Sequence, residues 1–391
     1  MTRTPILSLL APAFLATTLL ATTQAQAGRN DILIGLDSKI GYTADGQTNI
    51  VPGTDKLLVL DITTPAQPKI RATLDLSNSL LGPPTNLEIT PDGRLALLAS
   101  SVTHTPDGAT WKAQPDDKLF VIDLDATPPK LLDTVTVAKQ PSGLDISADG
   151  KFALIANRAG KSVTLVAIDG TSVKHVTDLD LGQEAAAVAI APDGKRAFAV
   201  MNIVGKVAVI DIDGQKLAYD KANDIPVAPN PYNIDITNDG HYAIASSTGA
   251  GRDNADGMTT IAITGPHPHA TAITNIGTGP EGFALAPKGN VLVAALLLGT
   301  GAKHSDYWYG PQGQAVLATI DPAGAITVQD RAPLGGLPEG LAFSPDGQYV
   351  YIANYIDKNL QVFRIAAGKF EPQGAPIDLG GQPASMRGLA H

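Results

Sequence analysis

Apolar and polar residues alternate along most of this chain, in short runs broken by glycine and proline. Residues 335–355 read GGLPEGLAFSPDGQYVYIANY, residues 139–157 read KQPSGLDISADGKFALIAN, and residues 230–245 read NPYNIDITNDGHYAIA. A period of two marks half-buried strands, and stretches with the 3.6-residue period of an amphipathic helix are missing. An Asp-Gly pair punctuates the alternation at Asp92-Gly93, Asp149-Gly150, Asp193-Gly194, Asp239-Gly240 and Asp346-Gly347, with Lys288-Gly289 in the remaining slot. The spacings are 57, 44, 46, 49 and 58 residues. Gly accepts a positive φ and Asp can bond its own backbone, so each pair predicts a tight hairpin.

The same four-part unit surrounds every turn. A strand such as NLEIT or GLDIS precedes it, a strand such as LALLASS or FALIAN follows, then a third such as KLFVIDL and a more polar fourth such as KLLDTVTV. Four short antiparallel strands per 44–58 residues describe a β-propeller blade. Six blades are complete. The chain ends in GGQPASMRGLAH, the start of a repeat, and the missing remainder stands near the N-terminus as DILIGLDS, DKLLVLDI and KIRATLDL. The expectation is an all-β, seven-bladed propeller in which a C-terminal strand completes the N-terminal blade. Closure removes two exposed strand edges, which a six-bladed ring with frayed ends would leave unpaired.

The segments PEGLAFSPDGQYVYIAN (338–354) and PSGLDISADGKFALIAN (141–157) resemble YVTN-type repeats. Seven-bladed propellers similar to the YncE-like and lactonase-like families carry them. The resemblance covers essentially the whole chain after residue 27 and implies the architecture. It leaves activity open, because such propellers include binding proteins and hydrolases.

The first 27 residues read as an export signal. Arg3 supplies the positive start, PILSLLAPAFLATTLL the apolar run, and Ala25-Gln26-Ala27 the small-x-small cleavage pattern. Residues 28–391 would form one propeller domain, periplasmic or secreted, with no lipobox cysteine. The longest later apolar run, Val291–Leu298, is strand-length and cannot span a membrane. Cysteine is absent, so core burial must hold the fold. Removing Arg3 from 28 Lys and Arg leaves 27 against 38 Asp and Glu, a net charge of −11. That argues against nucleic acid and anionic membranes as partners. A monomer that binds a small molecule or an envelope protein is expected.

Two features locate candidate chemistry. The innermost strands alternate, and one column is apolar, from Leu87/Ile89 to Leu341/Phe343. The other faces the central channel: Asn86/Glu88, Gly143/Asp145, Ala187/Ala189, Asn233/Asp235, Gly282/Ala284, Gly340/Ala342 and Ser385/Arg387. Glu88, Asp145 and Asp235 with Asn86 and Asn233 offer oxygens to a divalent cation such as calcium. The alternative is a water-filled channel with an Arg387–Glu88 pair. Crowded acids could also raise one carboxyl pKa to serve as a general base.

The second feature is the uneven loops opposite the Asp-Gly turns, which read as insertions at 39–54, 102–117, 248–257 and 299–313. They hold Trp111, Trp308, His104, His304, Tyr307 and Tyr309, types that favour recognition. Glu281 and Glu339 occupy equivalent Pro-Glu-Gly positions at the channel mouth. They are either ligand-gripping groups or solvated acids. The His267-Pro268-His269 run reads as a surface loop feature, because a pair without a third ligand rarely binds zinc tightly. There is no Gly-x-Ser-x-Gly elbow and no Cys-x-x-Cys-His.

Two functions follow. The first is an exported propeller that binds a small ligand, metal ion or envelope protein on its loop-rich face. The second is a lactonase-like hydrolase or lyase acting on a sugar-derived or cyclic ester. It would use Glu88, Asp145, Asp235, Arg387 and His104 or His304. A redox partner role has no cofactor motif behind it.

Overall fold

The computed structural model describes residues 1, 30–249, 254 and 256–389. The proposed export signal at 1–27 therefore lies, apart from Met1, outside the described residues. No helix among those described is long and apolar enough to cross a membrane.

Seven antiparallel sheets of four strands, two of them with a short fifth strand, make the ring. Blade 1 runs from the inside outward as Gln382–Arg387, Asp31–Asp37, Lys56–Asp61 and Lys69–Leu74. Blades 2 to 7 follow in order as 87–136, 141–180, 187–219, 231–277, 280–333 and 338–372. The closure is the expected one. Met386 pairs with Ile34 and Ser385 with Gly35, and Leu389 bridges to Ile89 of blade 2.

The Asp-Gly turns form a repeated device. Each Asp Oδ1 accepts the backbone N–H two residues on, at 3.0–3.1 Å in five blades. In four of them a preceding Ser or Thr hydroxyl donates to the same oxygen at 2.6–2.8 Å. The glycine completes the turn with φ between 67° and 73°. Apolar inner-strand residues pack between blades: Leu144 and Ile146 sit with Leu97 and Ala99 of blade 2. Val188 and Ile190 sit with Leu154 and Ala156 of blade 3. Each such buried side chain contributes about 1.5–3 kcal/mol.

Two of the expected loops are β-hairpins. In blade 2 the second and third strands extend to Leu95–Asp107 and Thr110–Asp123, so 102–117 is strand and turn. In blade 1, Ile40–Thr43 pairs with Gly46–Asn49. Alternation continues through both segments, and the Gly at each tip has a positive φ, so ladder pairing wins over irregular loop. The two hairpins meet: Asn49 Nδ2 donates to the Trp111 carbonyl at 2.9 Å. The blade 1 hairpin is anchored by Lys39, buried between Asp37 and Asp55 and bonded to the Asn78 carbonyl. Its Tyr42 meets Tyr355 of blade 7 edge-on at 5.8 Å. The Tyr355 hydroxyl donates to the Ile40 carbonyl at 2.9 Å.

The axis is filled, where the inner strands had predicted an open channel. Pro83, Pro84 and Thr85 are buried. The Pro84 carbonyl accepts Met386 N–H at 3.1 Å from blade 1, and the Thr85 carbonyl accepts Leu144 N–H at 2.9 Å from blade 3. Across the ring, the Thr85 hydroxyl reaches Asn233 Oδ1 at 3.4 Å. A Cβ at Gly282 of blade 6 would lie 3.3 Å from the Pro84 ring.

Candidate functional site

The filled axis separates two groups of residues, one at each end. At the Asp-Gly end, Glu88, Asp145, Asp235 and Arg387 line one cavity of about 120 Å³ with Asn238 and Pro192. The register that aims these side chains inward is therefore the one the alternation gives. Arg387 stands 3.7 Å from Glu88 and 3.6 Å from Asp235. Glu88 Oε2 accepts Ile146 N–H of blade 3 at 2.9 Å, and Asp145 Oδ2 accepts Ile190 N–H of blade 4 at 2.6 Å. Each carboxyl thus ties its blade to the next. Burial raises Glu88 well above the usual carboxyl range; Arg387 opposes this and the Asp145 charge reinforces it. Burial also raises Asp145 to about 6 against the pull of Arg387. The two carboxyls act on each other: the Asp145 charge is one of the causes that raise Glu88. Burial alone would lower Arg387, but the carboxylates of Glu88, Asp235 and Asp145 raise it on balance.

Among the described residues no three His, Cys, Asp or Glu side chains are arranged to hold a metal ion. Arg387 already supplies positive charge. Asn86 and Asn233 serve as struts. Asn86 Nδ2 donates to Asn78 Oδ1 at 2.7 Å and to the Ala99 carbonyl at 2.9 Å. Asn233 Oδ1 accepts Ile234 N–H at 2.9 Å.

Neither rim histidine reaches the carboxyls. His104 sits on the blade 2 hairpin beside Asn49, and burial lowers its pKa. His304 is exposed and stacked on Tyr309 at 4.2 Å. Neither His104 nor His304 lines the cavity that holds Glu88, Asp145, Asp235 and Arg387. His267 is exposed, and His269 begins the outer strand of blade 5, His269–Gly277.

At the loop-rich end a larger pocket of about 380 Å³ opens between blades 5 and 6. Glu281 and Trp308 line it, with Tyr232, Asp256, Gly249, Leu297, Leu298 and Leu337. Trp111 lies on the blade 2 hairpin and Tyr307 is 84% exposed; neither lines this pocket. Glu339, which the sequence left as either a ligand-gripping group or a solvated acid, is only 1% exposed, and its Oε2 has no hydrogen-bond partner. Burial, then the Glu281 charge, raises Glu339 well above the carboxyl range. Glu281 is raised to about 7 by burial, with Arg158 opposing. The Arg158 guanidinium lies 5.7 Å from the Tyr232 ring centroid, and Glu184 is 3.9 Å from its Nε. Asp256 is 3% exposed; its Oδ2 accepts Gly279 N–H at 2.7 Å and its Oδ1 has no partner.

Tyr232 and Arg158 had no place in the sequence reading, and Gly249 and Asp256 fell within the 248–257 insertion without being singled out. One signal was available. Tyr232 follows the proline in Asn-Pro-Tyr-Asn as Glu281 and Glu339 follow it in Pro-Glu-Gly. A bulge lies just after that proline in blades 3, 5, 6 and 7, and it re-aims the next residue toward the mouth.

No family model matches the chain, and no curated protein matches it. Solved structures do match. A putative 6-phosphogluconolactonase from Bacteroides fragilis is 16% identical with a TM-score of 0.67, over 93% of this chain and 98% of that one. The periplasmic gluconolactonase of Pseudomonas aeruginosa is 18% identical with a TM-score of 0.66, over 91% and 98%. The fold is a seven-bladed β-propeller. Hydrazine synthase from Kuenenia stuttgartiensis also matches, with a TM-score of 0.57 at 18% identity, over 74% of this chain and 79% of that one. Identities this low carry the architecture alone.

Proposed function

We propose that this is an exported propeller that binds a small molecule at its loop-rich mouth, in the pocket between blades 5 and 6. The observation that carries the reading is Asp256 Oδ1, a buried acceptor without a donor, lining a cleft that also holds Glu281, Tyr232 and Trp308. An unsatisfied buried acceptor costs free energy that an arriving donor returns. Aromatic and leucine walls with a few polar groups are the usual make-up of a small-molecule site, and about 380 Å³ lies in the usual range. The test is a thermal-shift screen of small metabolites, repeated on Trp308→Ala. The reading expects hits on the wild type that weaken at least tenfold in the variant. Hits untouched by Trp308→Ala would place binding elsewhere. Export is checked by N-terminal sequencing of the secreted or periplasmic protein, with Gly28 expected first.

A second reading is a lactonase-like hydrolase. It is favoured by the names of the two lactonase-like structural neighbours and by a Glu281 pKa near 7, poised for general acid–base work at neutral pH. Ring opening of glucono-δ-lactone, followed in a pH-stat, would fall at least a hundredfold in Glu281→Gln. Wild-type rates equal to the buffer background would end this reading.

A further inference from the structure

The charge in this pocket is unbalanced, and the imbalance specifies its ligand. Among the described residues, none of the 15 that line it is Lys, Arg or His, while Asp256 and Glu281 are both among them. Glu339 adds a third carboxyl behind Glu281. Among the described residues the guanidinium acting on Glu281 is that of Arg158, which stands over Tyr232 and does not line the pocket.

Asp256 is arranged to meet a donor. One oxygen is held by Gly279 N–H, which fixes the carboxyl. The other is buried yet bonded to nothing. Gly249 lies close against that oxygen: its φ is +57°, and a Cβ there would overlap Asp256 Oδ1. Any side chain at residue 249 would collide with the carboxyl. The remaining walls are the Tyr232 and Trp308 rings and three leucines.

We propose that the ligand is a small organic cation, an amine or ammonium whose charge sits against Asp256 and Glu281 and whose carbon skeleton lies against Trp308 and Tyr232. This rests on the pocket reading given above and narrows it to one chemical class. A cation is attracted by aromatic faces as well as by carboxylates, so every wall of the pocket contributes. An anion meets two carboxyls and, among the described residues, no basic lining residue. A neutral polyol could supply donors, but it leaves the negative charge uncompensated.

The proposal has a thermodynamic signature. Glu281 is faced by Tyr232 on blade 5, Glu339 on blade 7, Arg158 on blade 3 and Tyr42 on the blade 1 hairpin. In the empty pocket burial holds it near 7, so below that pH it carries a proton. An arriving cation favours the ionised form and releases that proton. A neutral ligand does not.

The experiment is titration calorimetry of the full chain with tetramethylammonium, 2-aminoethanol and 1,4-diaminobutane, against glucono-δ-lactone and myo-inositol. Runs span pH 5.5–8 in phosphate and in Tris. The proposal expects binding of at least one cation, with affinity rising up to about tenfold per pH unit below 7 and levelling above it. It also expects heats that differ between the buffers by the proton released. Asp256→Asn keeps the bond to Gly279 and should weaken the cation at least tenfold; Trp308→Ala, on an outer loop, should weaken it independently. Binding of the lactone or inositol alone, with no proton release, overturns the cation and leaves the pocket reading standing. No binding by any probe, with both variants indistinguishable from wild type, overturns both.

Discussion

Replacing Arg387 with Met tests whether one guanidinium holds the Asp-Gly end of the ring together. Arg387 is 8% exposed and is the only cation between Glu88 and Asp235 in the cavity they share with Asp145. Removing one partner of a buried ion pair costs about 3–5 kcal/mol. Two features place this case at the lower end, about 3 kcal/mol. The separations of 3.6 and 3.7 Å exceed hydrogen-bond length, and burial raises the Glu88 pKa, which reduces the charge Arg387 has to balance. With an unfolding entropy of about 2.1 cal/mol/K per residue over roughly 360 residues, that loss lowers Tm by about 4 °C.

The pH dependence distinguishes this charge effect from lost packing. The folded pKa of Asp145 is raised from 3.8 to about 6. Its contribution to stability is therefore fully present below 3.8 and is lost as pH rises through about 6. Without Arg387 the pull that lowers both carboxyl pKa values is gone, so the loss extends to higher pH. The difference in Tm between wild type and variant should be small at pH 4 and open between pH 4 and 8. Scanning calorimetry across that range reads it. A difference that is the same at pH 4 and pH 8, or absent at pH 8, would refute the assignment of Arg387 as the balancing charge.

Three further outcomes follow from the same geometry. Glu88→Gln keeps an acceptor for Ile146 N–H and removes a carboxyl whose raised pKa penalises the fold at high pH; urea denaturation should show it unchanged near pH 4.5 and more stable than wild type at pH 8. Lys39→Met strands Asp37 and Asp55 and should cost about 3–5 kcal/mol by the same assay; a loss under 1 kcal/mol would mean the blade 1 hairpin does not depend on the buried ammonium. A circular permutant that places residues 382–389 directly before residue 30 should melt within a few degrees of wild type, while deleting those residues should leave the chain aggregating from its open edge.

The fold was legible because its signal repeats. The Asp-Gly turns, the period-two strands and the split blade at the two ends each recur, and each is local. The inward register of Glu88, Asp145, Asp235 and Arg387 was legible for the same reason: alternation is a property of a regular strand. The mouth was not, because the backbone there is irregular. Gln140, Asn230 and Leu337 precede the mouth prolines with positive φ, and the bulge that follows breaks the alternation just where Tyr232, Glu281 and Glu339 stand. Asp256 enters the pocket from a third strand of blade 5, at a long sequence distance from Glu281's own strand pairing, so no spacing rule connects them. Burial of Glu339 and filling of the axis depend on several blades at once and leave no local trace.

Pro84 and Thr85 turn the ring from a pipe into a stoppered vessel. The pocket between blades 5 and 6 and the acid–guanidinium group lie on opposite sides of that stopper. Substitutions on one side can therefore leave the charge arrangement that braces the other as it was.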